Sequence, residues 1–231
     1  MPSNFAAWLP AKCVKPLQID PAPYTPPGAG EIVVKKRAVA INPVDWGKQE
    51  AGNIILGYIN YPFIQGGDVA GDVVEVGSDV NRFRVGDRVI GQAVGAASSS
   101  NNPVEGAFQH YTVIREHLAT VIPAWMSYEQ ACVLPLALLT AAYGLFDPGF
   151  LALDPPTVPP PSPNSIQKAI VITGGASSVG SNAIQLAVSA GYQVYSTASP
   201  KNFAYVSRLG AIRVFDYHST TWVDDLVLEL Y

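Results

Sequence analysis

Gly175, Ser177 and Gly180 stand at the spacing by which a small-residue turn holds a phosphate. They lie in Val171-Ile172-Thr173-Gly174-Gly175-Ala176-Ser177-Ser178-Val179-Gly180, where a β-branched apolar run leads into the turn. The spacing is that of G-x-G-x-x-G with serine at the second place. In that motif the second glycine lets the backbone approach the phosphates, and the third lets helix and strand pack closely. Serine is small and adds a hydroxyl that can donate to phosphate. Apolar positions at Ala183, Ile184, Ala187 and Val188 follow, ending at Gly191. Strand, turn and helix in that order leave free amides at a helix N-terminus, where a pyrophosphate can sit. On this decapeptide alone an ordinary βα turn is the alternative.

The next strand, residues 192–197, decides more. A site for NAD places Asp or Glu near the end of this strand to hold the ribose 2′-hydroxyl. No acid occurs between Ser181 and Phe215; instead Ser199-Pro200-Lys201-Asn202 follows the strand. A hydroxyl and an ammonium there suit a 2′-phosphate, so the expected cofactor is NADP(H). A solvated loop lysine is the alternative for Lys201. No Ser-His-Asp, paired-carboxylate or metal arrangement stands out, as expected where a cofactor carries the chemistry.

These residues need elements to position them, and the composition supplies a core. The 231 residues are 48% hydrophobic and 14% charged, with a net charge of −4. That balance argues against nucleic acid or an anionic membrane as the main partner. No stretch of about 18 apolar residues occurs, so no membrane span is expected, and the N-terminus carries no signal pattern. Cys13 and Cys132 make neither a disulfide framework nor a cysteine-rich zinc site, and a cytoplasmic chain is expected. Residues 31–41, 69–76 and 85–92 read as strands of a small barrel-like β domain punctuated by glycines. Ser127 with Gln130 reads as a capping box opening a helix. Pro135 ends or kinks it, and 136–146 form a second helix. Pro148, Pro155, Pro156, Pro159, Pro160, Pro161 and Pro163 then crowd into one stretch that cannot hold a helix or a central strand. The expected organisation is a β domain at 1–147, a proline-rich linker at 148–165 and a dinucleotide-binding half at 166–231. Strands at 169–173, 192–197 and 213–216 are expected there, with a last helix carrying Trp222, Val223, Leu226, Val227 and Leu230 on one face.

Taken together, the chain resembles the medium-chain dehydrogenase/reductase superfamily. The resemblance is carried by Ile41-Asn42-Pro43-Val44-Asp45-Trp46, by Gly66-Gly67-Asp68-Val69-Ala70-Gly71-Asp72-Val73-Val74-Glu75-Val76-Gly77 and by Gly86-Asp87-Arg88-Val89. Gly106-Ala107-Phe108, Leu139-Thr140-Ala141-Ala142 and the turn from Gly175 to Gly180 continue it in the same order. The implied fold class is α/β: a GroES-like β-barrel domain followed by a partial Rossmann domain, a doubly wound parallel sheet. Within the superfamily the chain is similar to the zinc-free enoyl and quinone reductases, and more narrowly to fungal trans-acting enoyl reductases of polyketide pathways. Zinc alcohol dehydrogenases carry Cys where this chain has Asn42 and Gly-His-Glu where it has Gly66-Gly67-Asp68, and their cysteine-rich lobe has no counterpart here. The resemblance therefore implies no zinc, and His110, His117 and His218 are scattered.

The resemblance also implies site residues. Asp45, Trp46, Gly47 and Lys48 match the segment on the nicotinamide side. Ala176, Ser177, Ser178, Val179 and Gly180 match the pyrophosphate turn. Ser199, Lys201 and Asn202 match the 2′-phosphate loop, and Tyr217 matches a tyrosine beside it. Leu138, Leu139, Thr140, Ala141, Ala142, Tyr143, Gly144 and Leu145 match a helix facing substrate and nicotinamide. Read without the resemblance, Asp45 is a turn cap, Trp46 a packed aromatic, Thr140 a helix residue bonded to its own turn and Tyr217 a strand-end tyrosine. The implied activity is NADPH-dependent reduction of an activated carbon–carbon double bond in an enoyl, enone or quinone substrate, small or carrier-bound, with a polyketide synthase as partner. Lys48, Tyr58, Tyr61 and solvent are all open as proton source, and no catalytic residue is assigned. Strands four to six of the family's Rossmann sheet, and its C-terminal return segment, have no counterpart before Tyr231. The chain as written is therefore expected to be a poor catalyst with an exposed sheet edge. The alternative function is a catalytically inactive remnant that at most binds nucleotide or a partner protein.

Overall fold

The computed structural model describes residues 2–162 and 168–230. Its first elements are the strands Asn4–Leu9 (β1), Gln18–Ala22 (β2) and Glu31–Ala40 (β3) and the helix Pro43–Ala51 (α1). The strands Phe63–Ile64 (β4), Asp68–Val76 (β5), Arg88–Gln92 (β6), Tyr111–Arg115 (β7) and Ala119–Val121 (β8) follow. Five of these make an antiparallel sheet in the order β7-β3-β5-β6-β8, and β2-β1-β4 make a second. The two join where Ala7 N donates to Phe108 O (2.8 Å) and His110 N to Phe5 O (3.0 Å). Ile32 and Val34, two residues apart on β3, share one face. They are fully buried with Val69, Val73, Val89 and Ile114, and each such side chain contributes about 1.5–3 kcal/mol by leaving water.

The expected strand at 85–92 begins only at Arg88. Gly86 turns the chain with φ of 98°, and the Asp87 carboxylate accepts from Arg84 N (2.9 Å), so the first three residues form a turn. The capping box forms as read: Ser127 Oγ accepts from Gln130 N (3.2 Å) and Gln130 Oε1 from Ser127 N (3.0 Å). It opens the short helix Tyr128–Ala131 (α2), and Pro135 opens the helix Pro135–Phe146 (α3), where its missing N–H costs nothing.

Beyond it lie Ala169–Ile172 (β9), Ser178–Ser189 (α4), Gln193–Ala198 (β10), Phe203–Arg208 (α5), Arg213–Asp216 (β11) and Trp222–Leu230 (α6). The strands form a parallel sheet in the order β11-β10-β9, which requires the helical crossovers seen between them. Ile184 and Ala187 of α4 pack with Val194, Ile172 and Val206. On the last helix Leu226 is buried with Tyr195 and Phe215, and Trp222 packs against them.

The chain divides into the compact units Met1–Leu136 and Ala137–Tyr231. The expected boundary at 147 falls late because Ala141 and Leu145 of α3 belong to the core of the second unit. The proline-rich stretch is also corrected. Its described part has neither helix nor strand, as expected, but it is a loop of the second unit and not a linker between units. Leu153 N donates to Leu145 O (2.9 Å) and Asp154 N to the Tyr192 hydroxyl (3.0 Å). The expected linker end at 163–165 and the start of the next domain at 166–167 lie outside the described residues, as do Met1 and Tyr231. One stretch, Tyr128–Phe146, has a mean hydropathy of 1.4 and passes for a membrane span by length and composition alone. It is broken between α2 and α3, and the 12 residues of α3 reach only about 18 Å, against the ~30 Å of a bilayer core.

Candidate functional site

In the second unit the turn after β9 is built by glycines that tolerate no side chain. A Cβ on Gly180 would lie 2.3 Å from Gly174 O, and one on Gly175 would lie 2.2 Å from Ser196 Oγ. Helix α4 thereby packs directly on the turn, as the third glycine of the motif allows. Gly174 has φ of 66°, a left-handed conformation natural to glycine. Ser177 is the N-cap of α4, its Oγ accepting from Gly180 N (3.0 Å). Its hydroxyl hydrogen remains available to an anion, so the residue serves the helix and can face the phosphate at once. Ser177, Ser178 and Val179 are exposed at the rim while Gly175 and Gly180 are buried beneath it.

Residues beyond those read from the sequence hold this turn. Thr197 Oγ1 accepts from Gly174 N (3.1 Å) and Thr197 O from Gly175 N (2.9 Å). Ser181 Oγ donates to Gly175 O (3.0 Å) and accepts from the Tyr205 hydroxyl (3.0 Å). Hydroxyls at consecutive positions of a strand end, Ser196 and Thr197, were the signal in the sequence.

The loop after β10 lies beside the end of β11, because Ala198 pairs with Asp216 in register. Ser199 Oγ and the Tyr217 hydroxyl are 3.0 Å apart. Ser199 caps the turn Pro200–Asn202, in which Asn202 N donates to Ser199 O (2.8 Å), and Lys201 is exposed. Tyr217 stacks at a tilt on His218, ring centres 4.2 Å apart. The structure thus brings Ser199, Lys201, Asn202 and Tyr217 to one corner of the sheet. On α3, Leu138, Leu139, Thr140 and Tyr143 are exposed, whereas Ala141 and Leu145 turn into the core. Of the eight positions expected to face substrate, Ala141 and Leu145 are thus taken up by the core, since a helix packed on a core shows only part of its circumference.

In the first unit the expected nicotinamide-side segment is the first part of α1. Asn42 N donates to Asp45 Oδ2 (2.8 Å) and Asn42 Nδ2 to Asp68 Oδ2 (2.8 Å), while Leu136 N donates to Asp68 Oδ1 (2.7 Å). Burial pushes both the Asp45 and Asp68 carboxyls above the usual range, against hydrogen bonds that pull the other way. Lys48 is wholly buried. Its ammonium donates to the carbonyls of Gly52 (3.1 Å), Ile55 (3.0 Å) and Leu56 (2.9 Å) and sits over the Tyr61 ring. Lys48, expected on the nicotinamide side, thus has its ammonium committed to bracing the loop after α1. Asp45 and Gly47 are buried as well, and Trp46 is the one of the four with an exposed side chain. The Tyr58 hydroxyl donates to Ala96 O (2.8 Å) and that of Tyr61 to Asn53 Oδ1 (3.1 Å).

A zinc ion does not fit these residues. Where a ligand would be needed, the Asp68 oxygens are taken by an amide and a backbone N–H, and Asn42 supplies no anionic donor. Among the described residues no group of three or more His, Cys, Asp or Glu is placed to hold a metal.

Comparison with known proteins gives a consistent picture. Residues 28–124 match the alcohol dehydrogenase GroES-like domain. The chain is 52% identical to dehydrogenase pigH of Monascus ruber, covering 98% of this chain and 61% of that protein. It is 46% identical to the zinc-binding alcohol dehydrogenase domain-containing protein cipB of Emericella nidulans, covering 99% and 62%. It is 36% identical to trans-enoyl reductase tazE of Aspergillus terreus, covering 92% and 68%. The chain thus spans less than two thirds of the length of pigH and cipB. Among solved structures, an alcohol dehydrogenase superfamily protein from Novosphingobium aromaticivorans superposes with a TM-score of 0.78 at 28% identity, covering 98% of this chain and 62% of that one. A quinone oxidoreductase from Coxiella burnetii gives 0.70 at 27%, covering 98% and 65%.

Proposed function

The chain belongs to the medium-chain dehydrogenase/reductase superfamily, and from that premise we propose that it serves an NADPH-dependent reduction of an activated carbon–carbon double bond in an enoyl, enone or quinone substrate. The observation that carries the reading is the pairing of an open phosphate turn with an end of β10 that carries no acid of its own. The turn offers the first amides of α4 and the Ser177 hydroxyl to a pyrophosphate. The corner offers Ser199, Lys201 and Tyr217 to a 2′-phosphate. The relative named a trans-enoyl reductase and the quinone oxidoreductase fold support the substrate class.

When bound, NADPH supplies the hydride that adds to the β-carbon of the double bond. The chain's own residues bind and orient. Exposed Leu138, Leu139 and Tyr143 give a flat reactant an apolar surface. The polar hydrogens of Lys48, Tyr58 and Tyr61 are spent on oxygen acceptors, so the proton for the α-carbon is drawn from water. No zinc takes part. Delivery of the enoyl chain on the carrier of a polyketide synthase, in fungal secondary metabolism and in the cytoplasm, belongs to the same proposal.

The test is an assay of the 231-residue chain for nucleotide oxidation with a 2-enoyl thioester, an enone and a quinone, followed by identification of the product. The expected product is the saturated thioester or ketone, or the quinol, formed with NADPH in preference to NADH. Alcohol oxidation, or a preference for NADH, would overturn the reading.

A further inference from the structure

Thr197 makes the two bonds that fix the head of the phosphate turn, yet it lies on the neighbouring strand. Its Oγ1 accepts from Gly174 N at 3.1 Å and its carbonyl from Gly175 N at 2.9 Å. Its side chain is itself buried at 2% exposure. With Gly174 and Gly175 so committed, Ser177 N turns back to Gly174 O (2.9 Å) and Gly180 N to Ser177 Oγ. The amides of Ser178 and Val179 are left at the open first turn of α4, where helix geometry gives them no carbonyl. Two residues further on, just past the end of the same strand, is Ser199, at the corner assigned to the 2′-phosphate. Thr197 therefore sits between the turn and the Ser199 corner, with its hydroxyl oxygen and carbonyl committed to Gly174 N and Gly175 N.

We propose that Thr197 is the positioning residue for the pyrophosphate cradle: it aims the amides of the turn from outside the turn, and sets their register against the Ser199 corner. The proposal rests on the reading of this unit as an NADPH site. Thr197→Val keeps the shape of the side chain and removes the acceptor, leaving Gly174 N unpaired in a part-buried place. Thr197→Ser restores the acceptor.

The experiment titrates wild type, Thr197→Val and Thr197→Ser with NADPH and with adenosine 2′-monophosphate, which reaches the Ser199 corner but carries no pyrophosphate. Melting temperatures are recorded alongside. Thr197→Val is expected to bind NADPH about tenfold more weakly or worse, to bind adenosine 2′-monophosphate within about twofold of wild type, and to be rescued by Thr197→Ser. Equal affinity of Thr197→Val and wild type for NADPH overturns the proposal. So does a parallel loss of both ligands, which would mark a general structural defect, and so does failure of the serine variant to rescue. A wild type that binds NADH in place of NADPH overturns only the 2′-phosphate assignment. The valine variant is then read with NADH, and unchanged affinity overturns the role of Thr197. A wild type that binds neither dinucleotide overturns the site reading and this proposal together.

Discussion

In the proposed site, the charge of Lys201 would separate the two nicotinamide cofactors. It is exposed at a turn capped by Ser199, with the Tyr217 hydroxyl 3.0 Å from Ser199 Oγ, so an incoming phosphate would meet a cation and two hydroxyls. A charge-assisted contact of this kind is worth roughly 1.5–3 kcal/mol. Lys201→Ala should therefore weaken NADPH by tens of fold and leave NADH nearly unchanged, as read by calorimetric titration. An equal loss for both cofactors would place the 2′-phosphate elsewhere. Lys48 shows the opposite fate for the same residue type. From sequence it belongs to a segment assigned to the cofactor, but its ammonium is buried against the carbonyls of Gly52, Ile55 and Leu56. The sequence marks a lysine; which way it points depends on a loop that closes over it, with Leu56 in a left-handed conformation at φ of 49°.

At the scale of elements, the glycine turn and the capping box were legible because each is a local pattern whose partners lie within a few residues. The short strands β1, β2, β4, β7 and β8 were not placed, because, unlike the equally short β9, β10 and β11, they belong to no strand–turn–helix alternation that marks them. Long-range contacts hold such strands instead. The Tyr24 hydroxyl, just past β2, donates to Glu75 Oε2 on β5 (2.7 Å), and its ring lies edge-on to Tyr111 of β7, centres 5.3 Å apart. Burial, and then the hydrogen bond to Glu75, pushes this hydroxyl up to about 12. The unfolded chain releases the same proton near 10. The native state thus holds the proton more tightly, and the stability this contributes is full below about pH 10 and is lost as pH rises through about 12. Tyr24→Phe lacks that term. The stability difference between wild type and Tyr24→Phe, from urea unfolding, should narrow between about pH 9 and 12, and a constant difference would contradict the account.

At the scale of the whole molecule, two units of different construction are joined in one chain: an antiparallel β unit and a parallel β-α-β unit. The first carries the matched GroES-like domain, whose relatives include a protein named zinc-binding. A catalytic zinc needs about three protein ligands and an open position. Here Asn42 and Asp68 bond to each other, and Leu136 N takes the other oxygen of Asp68. The purified chain should contain no stoichiometric zinc by elemental analysis. Zinc surviving mild chelation at one equivalent would contradict the donor chemistry and favour alcohol dehydrogenation.

The sequence by itself determined what depends on near neighbours along the chain. The strand–turn–helix about Gly175 and Gly180, the acid-free end of the following strand and the reciprocal bonds of Ser127 and Gln130 all follow from spacing and residue type, while the parallel sheet of the second unit was implied by the family resemblance. Only the tertiary structure decided what depends on residues far apart in the chain. Thr197 reaches back across more than twenty positions to Gly174, and Asn42 reaches Asp68. Likewise, α3 joins the second core through Ala141 and Leu145, which moves the division of the chain to Leu136. The physical reason is that a hydrogen bond or a buried face is a property of a pair, and the sequence displays only one member of the pair at a time.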